Sequence, residues 1–232
     1  MLFADNINCS HGFTTRWGGV SQTPFNELNL GGPDDKTEYI LENRKRVFEQ
    51  LKLDFNKLCN LKQVHGAEVC IAKPGTLEGD ALVTNEPSHV LAISIADCYP
   101  ILFHDPLNKV IGAAHAGWRG TVNRIAENTI DKMCSLGADT RNIKVAIGQG
   151  ISPKKFEVGT EVISEFREKQ FSDTIFEGNY INLIRANIQV LEESGITPKN
   201  IWTMNRCTFE DDFFSYRRDK GLTGRMWALI TL

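Results

Sequence analysis

The sequence predicts one mixed α/β domain of the α+β class, spanning residues 1–232, and three observations predict it. No Ser/Pro-rich linker, internal repeat or low-complexity stretch divides the 232 residues, and a chain of this length can bury one large core. Several short runs are apolar without alternation and are bounded by turn residues, the pattern of strands covered on both faces. Amphipathic segments of helical period lie between these runs, without a strict strand–helix alternation.

Residues 37–51 read as a helix, with Ile40, Leu41, Val47, Phe48 and Leu51 on one side and Glu42, Lys45 and Glu49 on the other. Strands follow at 90–95, 100–103 and 110–114. A helix is expected over 121–136, where Val122, Ile125, Ala126, Ile130 and Met133 recur at helical spacing and Gly137 stops the run. A strand at 145–147, a short helix at 162–169 and a helix over 182–194, stopped by Gly195, come next. A last strand covers 227–230.

Lys and Arg number 26 against 29 Asp and Glu, a net charge of −3. No overall positive field exists to hold a polyanion, so nucleic acid is not expected as a partner. The N-terminus, Met1-Leu2-Phe3-Ala4-Asp5, shows no secretory signal. The longest nearly apolar run, 90–96, falls far short of the ~20 residues that a membrane helix needs, so no membrane association is expected. Six cysteines without a CxxC pair fit reduced thiols in a cytoplasm. Cys9, Cys59, Cys70, Cys134 and Cys207 read as small packing residues.

Polar residues concentrate where apolar strands hand over to loops: Gln63-Val64-His65-Gly66, Ala96-Asp97-Cys98-Tyr99-Pro100 and His115-Ala116-Gly117-Trp118-Arg119-Gly120. His65, Cys98 and His115, separated by 33 and 17 residues, do not have zinc-finger spacing. As a ligand set drawn from separate strands they leave a fourth position open, the pattern of a catalytic rather than a structural zinc. Copper is chemically permitted by the same donors. Two other readings stand beside this one: ordinary buried side chains, and a Cys98–His115 nucleophile–base pair. Asp97 either points to the opposite sheet face from Cys98 or accepts the second N–H of a ligand histidine. His11, His89 and His104 read as packing or solvent-facing residues.

Longer words accompany these segments. They include Thr14-Thr15-Arg16-Trp17-Gly18-Gly19, Asn26-Glu27-Leu28-Asn29-Leu30-Gly31, Glu42-Asn43-Arg44, Gly79-Asp80-Ala81-Leu82-Val83-Thr84, Phe213-Phe214-Ser215-Tyr216-Arg217-Arg218-Asp219 and Thr223-Gly224-Arg225. In this order they resemble the YfiH-like laccase-domain family, formerly labelled multicopper polyphenol oxidases and now associated with purine nucleoside phosphorylase activity. The resemblance spans nearly the whole chain. It implies mixed β-sheets packed face to face with helices outside, as in the catalytic domain of a bacterial deamidating toxin. It also implies one zinc held by His65, Cys98 and His115, phosphorolysis of adenosine, inosine and methylthioadenosine, and deamination of adenosine. Gln149 stands where the family usually has proline, and Asn182 where aspartate is commoner.

Phosphorolysis requires a bound phosphate, and the planar fork of arginine suits it. Arg44, Arg119 and Arg16 are the candidates, with Arg44 expected to act in catalysis beside Cys98 and His115. Asn29 is expected to orient a ribose hydroxyl or to hold its loop through an Asx-turn. Arg217 and Arg218 are expected to pair with Asp219 or nearby carboxylates. The partners are thus a purine nucleoside and inorganic phosphate. Zinc deaminases with an H-x-E…P-C-x-x-C signature are excluded, because no P-C-x-x-C occurs. Rival functions are a cysteine hydrolase or amidase using Cys98 and His115, and a non-catalytic protein that binds a nucleotide-linked precursor. With five histidines, a true multicopper centre is excluded.

Overall fold

The computed structural model describes residues 1–232. In chain order the elements are β1 (Ser10–Phe13), α1 (Thr37–Leu51), β2 (Leu58–Lys62), β3 (Val69–Ile71), β4 (Gly75–Glu78), β5 (Ala81–Thr84), β6 (Val90–Ile95), β7 (Tyr99–Asp105) and β8 (Val110–Ala116). They continue with α2 (Trp118–Val122), α3 (Ile125–Ser135), β9 (Lys144–Ile147), α4 (Thr160–Glu168), β10 (Phe176–Glu177), β11 (Tyr180–Ile181), α5 (Leu183–Glu193), β12 (Ile201–Thr203) and β13 (Met226–Thr231). The class is α+β, as the sequence predicts. No helix is long and apolar enough to cross a membrane.

Two mixed sheets carry the fold, one of five strands in the order β1-β13-β6-β2-β4 and one of six in the order β12-β9-β7-β8-β5-β3. Their strands are apolar on both sides because each sheet has two covered faces. Leu91, Ile93, Ile95 and Ala228 of the first sheet face Leu82, Leu102, Ile111 and Ala113 of the second in one buried cluster. The outer face of the five-stranded sheet, with Val90, Ala92, Trp227 and Leu229, packs on Val47 and Phe48 of α1. The outer face of the six-stranded sheet, with Ile101, Phe103 and Val145, packs on α3, α4 and α5 through residues such as Ile130, Phe166 and Val190. The layers therefore run helix, sheet, sheet, helices. Full burial of one Leu or Ile in such a cluster contributes about 1.5–3 kcal/mol.

The helix expected over 121–136 is two helices. Arg124 takes a left-handed backbone conformation, φ 60°, and breaks the run between α2 and α3. Its guanidinium is held there by Glu127 and by Glu193 of α5, the latter at 2.9 Å. Apolar spacing alone did not reveal this, since the period continues across the break. Asn182 caps α5, its side chain accepting from Arg185 N–H at 3.0 Å. Buried Gln149 donates from Nε2 to Thr14 O at 3.0 Å and so ties the segment after β9 to the one after β1. All six cysteines are free, but only Cys59 is fully buried.

Asp105, fully buried at the end of β7, closes the β7–β8 turn. Its Oδ1 accepts from the N–H groups of Leu107 and Asn108, each at 3.0 Å, and its Oδ2 from Asn108 Nδ2 at 2.8 Å and Asp139 N at 2.7 Å. Burial by itself would raise this carboxyl's pKa, but the four donors outweigh it and hold it below the ordinary carboxylate range. The folded value lies below the unfolded one, so the contribution is present at neutral pH and is lost as pH falls through the folded value. Asp105→Asn is expected to cost about 1–3 kcal/mol at pH 7. In urea unfolding, its gap from the wild type should narrow at pH below the normal carboxylate range.

Candidate metal centre

Strand polarity assembles the site. β2, β4 and β6 run parallel in one sheet, so their C-terminal ends share one rim. From that rim the chain crosses three times into the other sheet, at 63–68, 79–80 and 96–98. These crossovers carry His65, Asp80 and Cys98. The partners bring further ends to the same rim: Tyr99 pairs with Ala116 at the end of β8, and Ile95 with Met226 at the start of β13. His115, Arg119 and Arg225 arrive by this route. Residues as far apart in sequence as Gly32 and Arg225 thereby border a single cavity of about 750 Å³, lined among others by His65, Cys98, His115, Trp118 and Arg119.

One carboxylate organises the crossovers. Asp80 is fully buried and accepts from the backbone N–H groups of Val64 (3.2 Å), His65 (3.0 Å) and Gly66 (2.7 Å), and from Nδ1 of His115 (2.8 Å). Its burial favours the neutral acid, yet the bonds from His115 and the main-chain donors keep the pKa below the usual carboxylate value. A carboxylate can only accept, so His115 keeps a proton on Nδ1 in either charge state, and its neutral form turns the Nε2 lone pair to the cavity. The sequence reading named Asp97 as a candidate for this bond, and the structure assigns it to Asp80 instead. Asp97 accepts from Thr208 Oγ1 at 2.6 Å and from Arg217 N–H at 2.7 Å. The available signal for Asp80 was its place between a glycine and an apolar strand.

Gln63 holds the same crossover to β6 like an extra strand residue, donating to Ser94 O and accepting from Ser94 N–H, each at 2.8 Å. His65 itself, not Gly66, takes the left-handed turn, φ 58°. Gly117 is required by close approach: a Cβ there would stand 3.0 Å from Cys98 Sγ and 3.5 Å from His65 Cδ2.

The ligand atoms of His65, Cys98 and His115 all lie within 4.8 Å of one another. Two ligands on one tetrahedral zinc stand ~3.4–3.8 Å apart, given bonds of ~2.0–2.3 Å, so the widest pair has about an ångström to close. The imidazoles meet edge to face with centroids 4.8 Å apart. His115 is buried, Cys98 half-buried and His65 exposed, which leaves one side of the trio open to the cavity. Without an ion, burial of Cys98 pushes its thiol up, but both histidines outweigh this and bring it down to about 6. Burial likewise disfavours the charged form of His115, and the sulfur together with Asp80 reverses that, to about 9. Two imidazoles and an easily ionised thiol form a donor set that fits a divalent cation of the zinc type.

The remaining sequence candidates lie in different surroundings. Arg119 lines the cavity with its guanidinium 4.3 Å above the Trp118 ring. Arg44 stacks on Trp227 at 4.8 Å and donates from Nε to Leu30 O at 2.9 Å. Arg16 is set between Trp17 and Phe214 and donates to Asn26 O at 2.8 Å. Asn29 is buried; its Oδ1 accepts from Gly31 N–H (3.2 Å) and Arg225 N–H (2.8 Å), an Asx-turn that also anchors β13, and its Nδ2 donates to Asp35. Arg218 pairs with Asp219 at 2.7 Å as expected, but Arg217 meets no carboxylate. It stacks on Phe156 and donates to Glu157 O.

A double-sheet fold with a His-Cys-His centre on its crossover rim defines a class of laccase-like proteins. Residues 10–232 match the family described as multi-copper polyphenol oxidoreductase laccase, and the chain belongs to that family. It is 45% identical over 236 residues to a purine nucleoside phosphorylase of Deinococcus radiodurans, covering 100% of this chain and 92% of that one. It is 38% identical to the purine nucleoside phosphorylase YfiH of Escherichia coli, covering 94% and 92%. Among solved structures, YlmD from Geobacillus stearothermophilus superposes with a TM-score of 0.91 at 34% identity, covering 95% and 90%. A YfiH protein of Bacillus licheniformis gives 0.90 at 34%, covering 96% and 92%.

Two substitutions test the geometry. Asp80→Asn should weaken zinc retention by about 10–100-fold, the usual effect of losing a ligand histidine's partner, read by competition with a chromophoric chelator. Gly117→Ala should lower zinc retention while leaving the circular dichroism spectrum and the urea midpoint close to the wild type's.

Proposed function

We propose that this chain is a zinc-dependent purine nucleoside phosphorylase acting on adenosine, inosine and methylthioadenosine, with deamination of adenosine as a further reaction of the same centre. The observation that carries this reading is the convergence of His65, Cys98 and His115 in a cavity that also bears arginines. Relatives named for this activity cover nearly the whole chain. A cavity of about 750 Å³ suits a nucleoside with phosphate beside it.

In phosphorolysis a phosphate oxygen forms a bond to ribose C1′ while the C1′–N9 bond breaks, its electron pair leaving with the purine. The proton of hydrogen phosphate ends on the departing base. His65, Cys98 and His115 would hold the metal, which when bound supplies Lewis acidity to a substrate atom on which negative charge builds. Asp80 fixes the proton on Nδ1 of His115 and so keeps Nε2 available as a ligand. Arg44 and Arg119 are assigned to the phosphate, whose charge and planar oxygen pairs match their donors. Trp118 and Phe156 offer aromatic faces to the purine, each braced by a stacked guanidinium. Asn29 and Arg16 shape the loops that border the binding site.

A second reading has an observation of its own. Cys98, His115 and Asp80 form a thiol–imidazole–carboxylate relay, the arrangement of a cysteine hydrolase. Such an enzyme would keep its activity after chelation and lose it to a thiol alkylator.

The purified protein, incubated with inosine, should yield hypoxanthine and ribose-1-phosphate only when phosphate is present, and chelation should stop the reaction. Cys98→Ala and His115→Ala should lose both bound zinc and turnover while remaining folded. Wild-type turnover in either metal-free variant would refute the metal-dependent mechanism. Arg44→Ala should raise the KM for phosphate or lower kcat with zinc content unchanged.

A further inference from the structure

Several guanidinium groups at or near the cavity have no carboxylate within ion-pair distance, and two of them, Arg44 and Arg225, meet around Gly31. Arg124, Arg206 and Arg218 are each neutralised by Asp or Glu partners. Arg44, packed on Trp227, has no such partner. Arg225, half-buried on the cavity wall, gives Nη1 to Thr223 O (2.7 Å) and Gly224 O (3.0 Å), while its Nε and Nη2 donors meet no protein acceptor. Arginine does not shed its proton in a protein. A desolvated guanidinium without a counter-charge is costly unless an anion joins it.

The free donors of Arg225 have a defined geometry. With Nη1 engaged, Nε–H and Nη2–H lie along one edge of the guanidinium, the edge that grips two oxygens of a phosphate at once. Ser94 lies on the same wall. Gln63 takes both main-chain groups of Ser94 and leaves the hydroxyl without a protein partner. Gly31 marks the space between these residues. A methyl group placed there would stand 3.7 Å from Arg44 Nη2, 3.7 Å from Ser94 Oγ and 3.9 Å from Arg225 Cβ. Asn29 fixes this space from beneath by binding the N–H groups of both Gly31 and Arg225.

We propose that Arg225 and Ser94, together with Arg44, form the subsite that holds inorganic phosphate, Arg225 gripping two of its oxygens through Nε and Nη2. The assignment rests on the phosphorylase reading and adds to it two residues that the sequence reading left without a role in binding. Gly31 and Gly32 permit the anion to approach the backbone, and the metal-binding trio shares the same cavity.

Two measurements on the zinc-loaded protein separate the subsite from the activity. Calorimetry with inorganic phosphate alone reads binding, and initial rates with inosine read the KM values. Arg225→Gln should weaken phosphate binding and raise its KM at least tenfold, with the KM for inosine changed less than twofold and zinc content unchanged. Arg225→Lys should recover part of the loss by restoring charge without the fork. Ser94→Ala, which leaves the Gln63 pairing intact, should weaken phosphate about threefold and guards against a folding defect at Arg225. If the wild type binds phosphate but cleaves no nucleoside, the phosphorylase reading fails and the anion subsite stands. Phosphate binding unchanged in both Arg225→Gln and Ser94→Ala, or no phosphate binding by the wild type, would overturn the subsite.

Discussion

The carboxylate of Asp80 is the constraint on which the rest of the site depends. It is sealed from solvent, and its lone pairs are spent on three consecutive main-chain N–H groups and one imidazole. Charge-assisted bonds of this kind are worth about 1.5–3 kcal/mol each, enough to hold His65 in a left-handed conformation that a non-glycine residue seldom adopts. The same carboxylate sets the orientation of His115. One group thus positions two of the three metal-fitting side chains, and Gly117 makes room for the third. The precision of the centre comes from a layer of residues that would never touch the ion.

The walls follow a related logic. The three arginines that line the cavity, Arg119, Arg217 and Arg225, each lie over an aromatic ring, of Trp118, Phe156 and Tyr216. The rings restrict the guanidinium planes and the cations stiffen the rings. The cavity therefore combines flat apolar faces with fixed positive charge, a pairing suited to a planar base linked to, or accompanied by, an anion. The centre alone carries little selectivity among oxygen-bearing ligands; the wall adds shape and charge around it.

Much of this was legible from sequence, and the limits have physical causes. The helix at 37–51 and the strands around 90–95, 100–103 and 110–114 announce themselves because each packs one continuous apolar surface. β3, β4 and β12 do not: they are short, lie at sheet edges and carry half-exposed residues, so neither period stands out. His65, Cys98 and His115 stand at strand ends, and polar residues there invite attention. Asp80 escaped because a buried acid before an apolar strand looks like any turn residue until its four donors are known. Arg225 escaped for a related reason. What distinguishes it is an unengaged guanidinium edge brought beside the Ser94 hydroxyl and Arg44, and that is a property of three-dimensional surroundings rather than of neighbours along the chain.

The path of the polypeptide has a consequence for how this molecule comes into being. Between Leu58 and Tyr99 the chain changes sheet at nearly every strand, β2 to β3 to β4 to β5 to β6 to β7. Neither sheet can be completed while the other is unformed, and the last strand, β13, must still enter beside β6 once the whole chain exists. Assembly therefore cannot proceed layer by layer; the two sheets must condense together through contacts distant in sequence, which places this fold among those that fold slowly for their size.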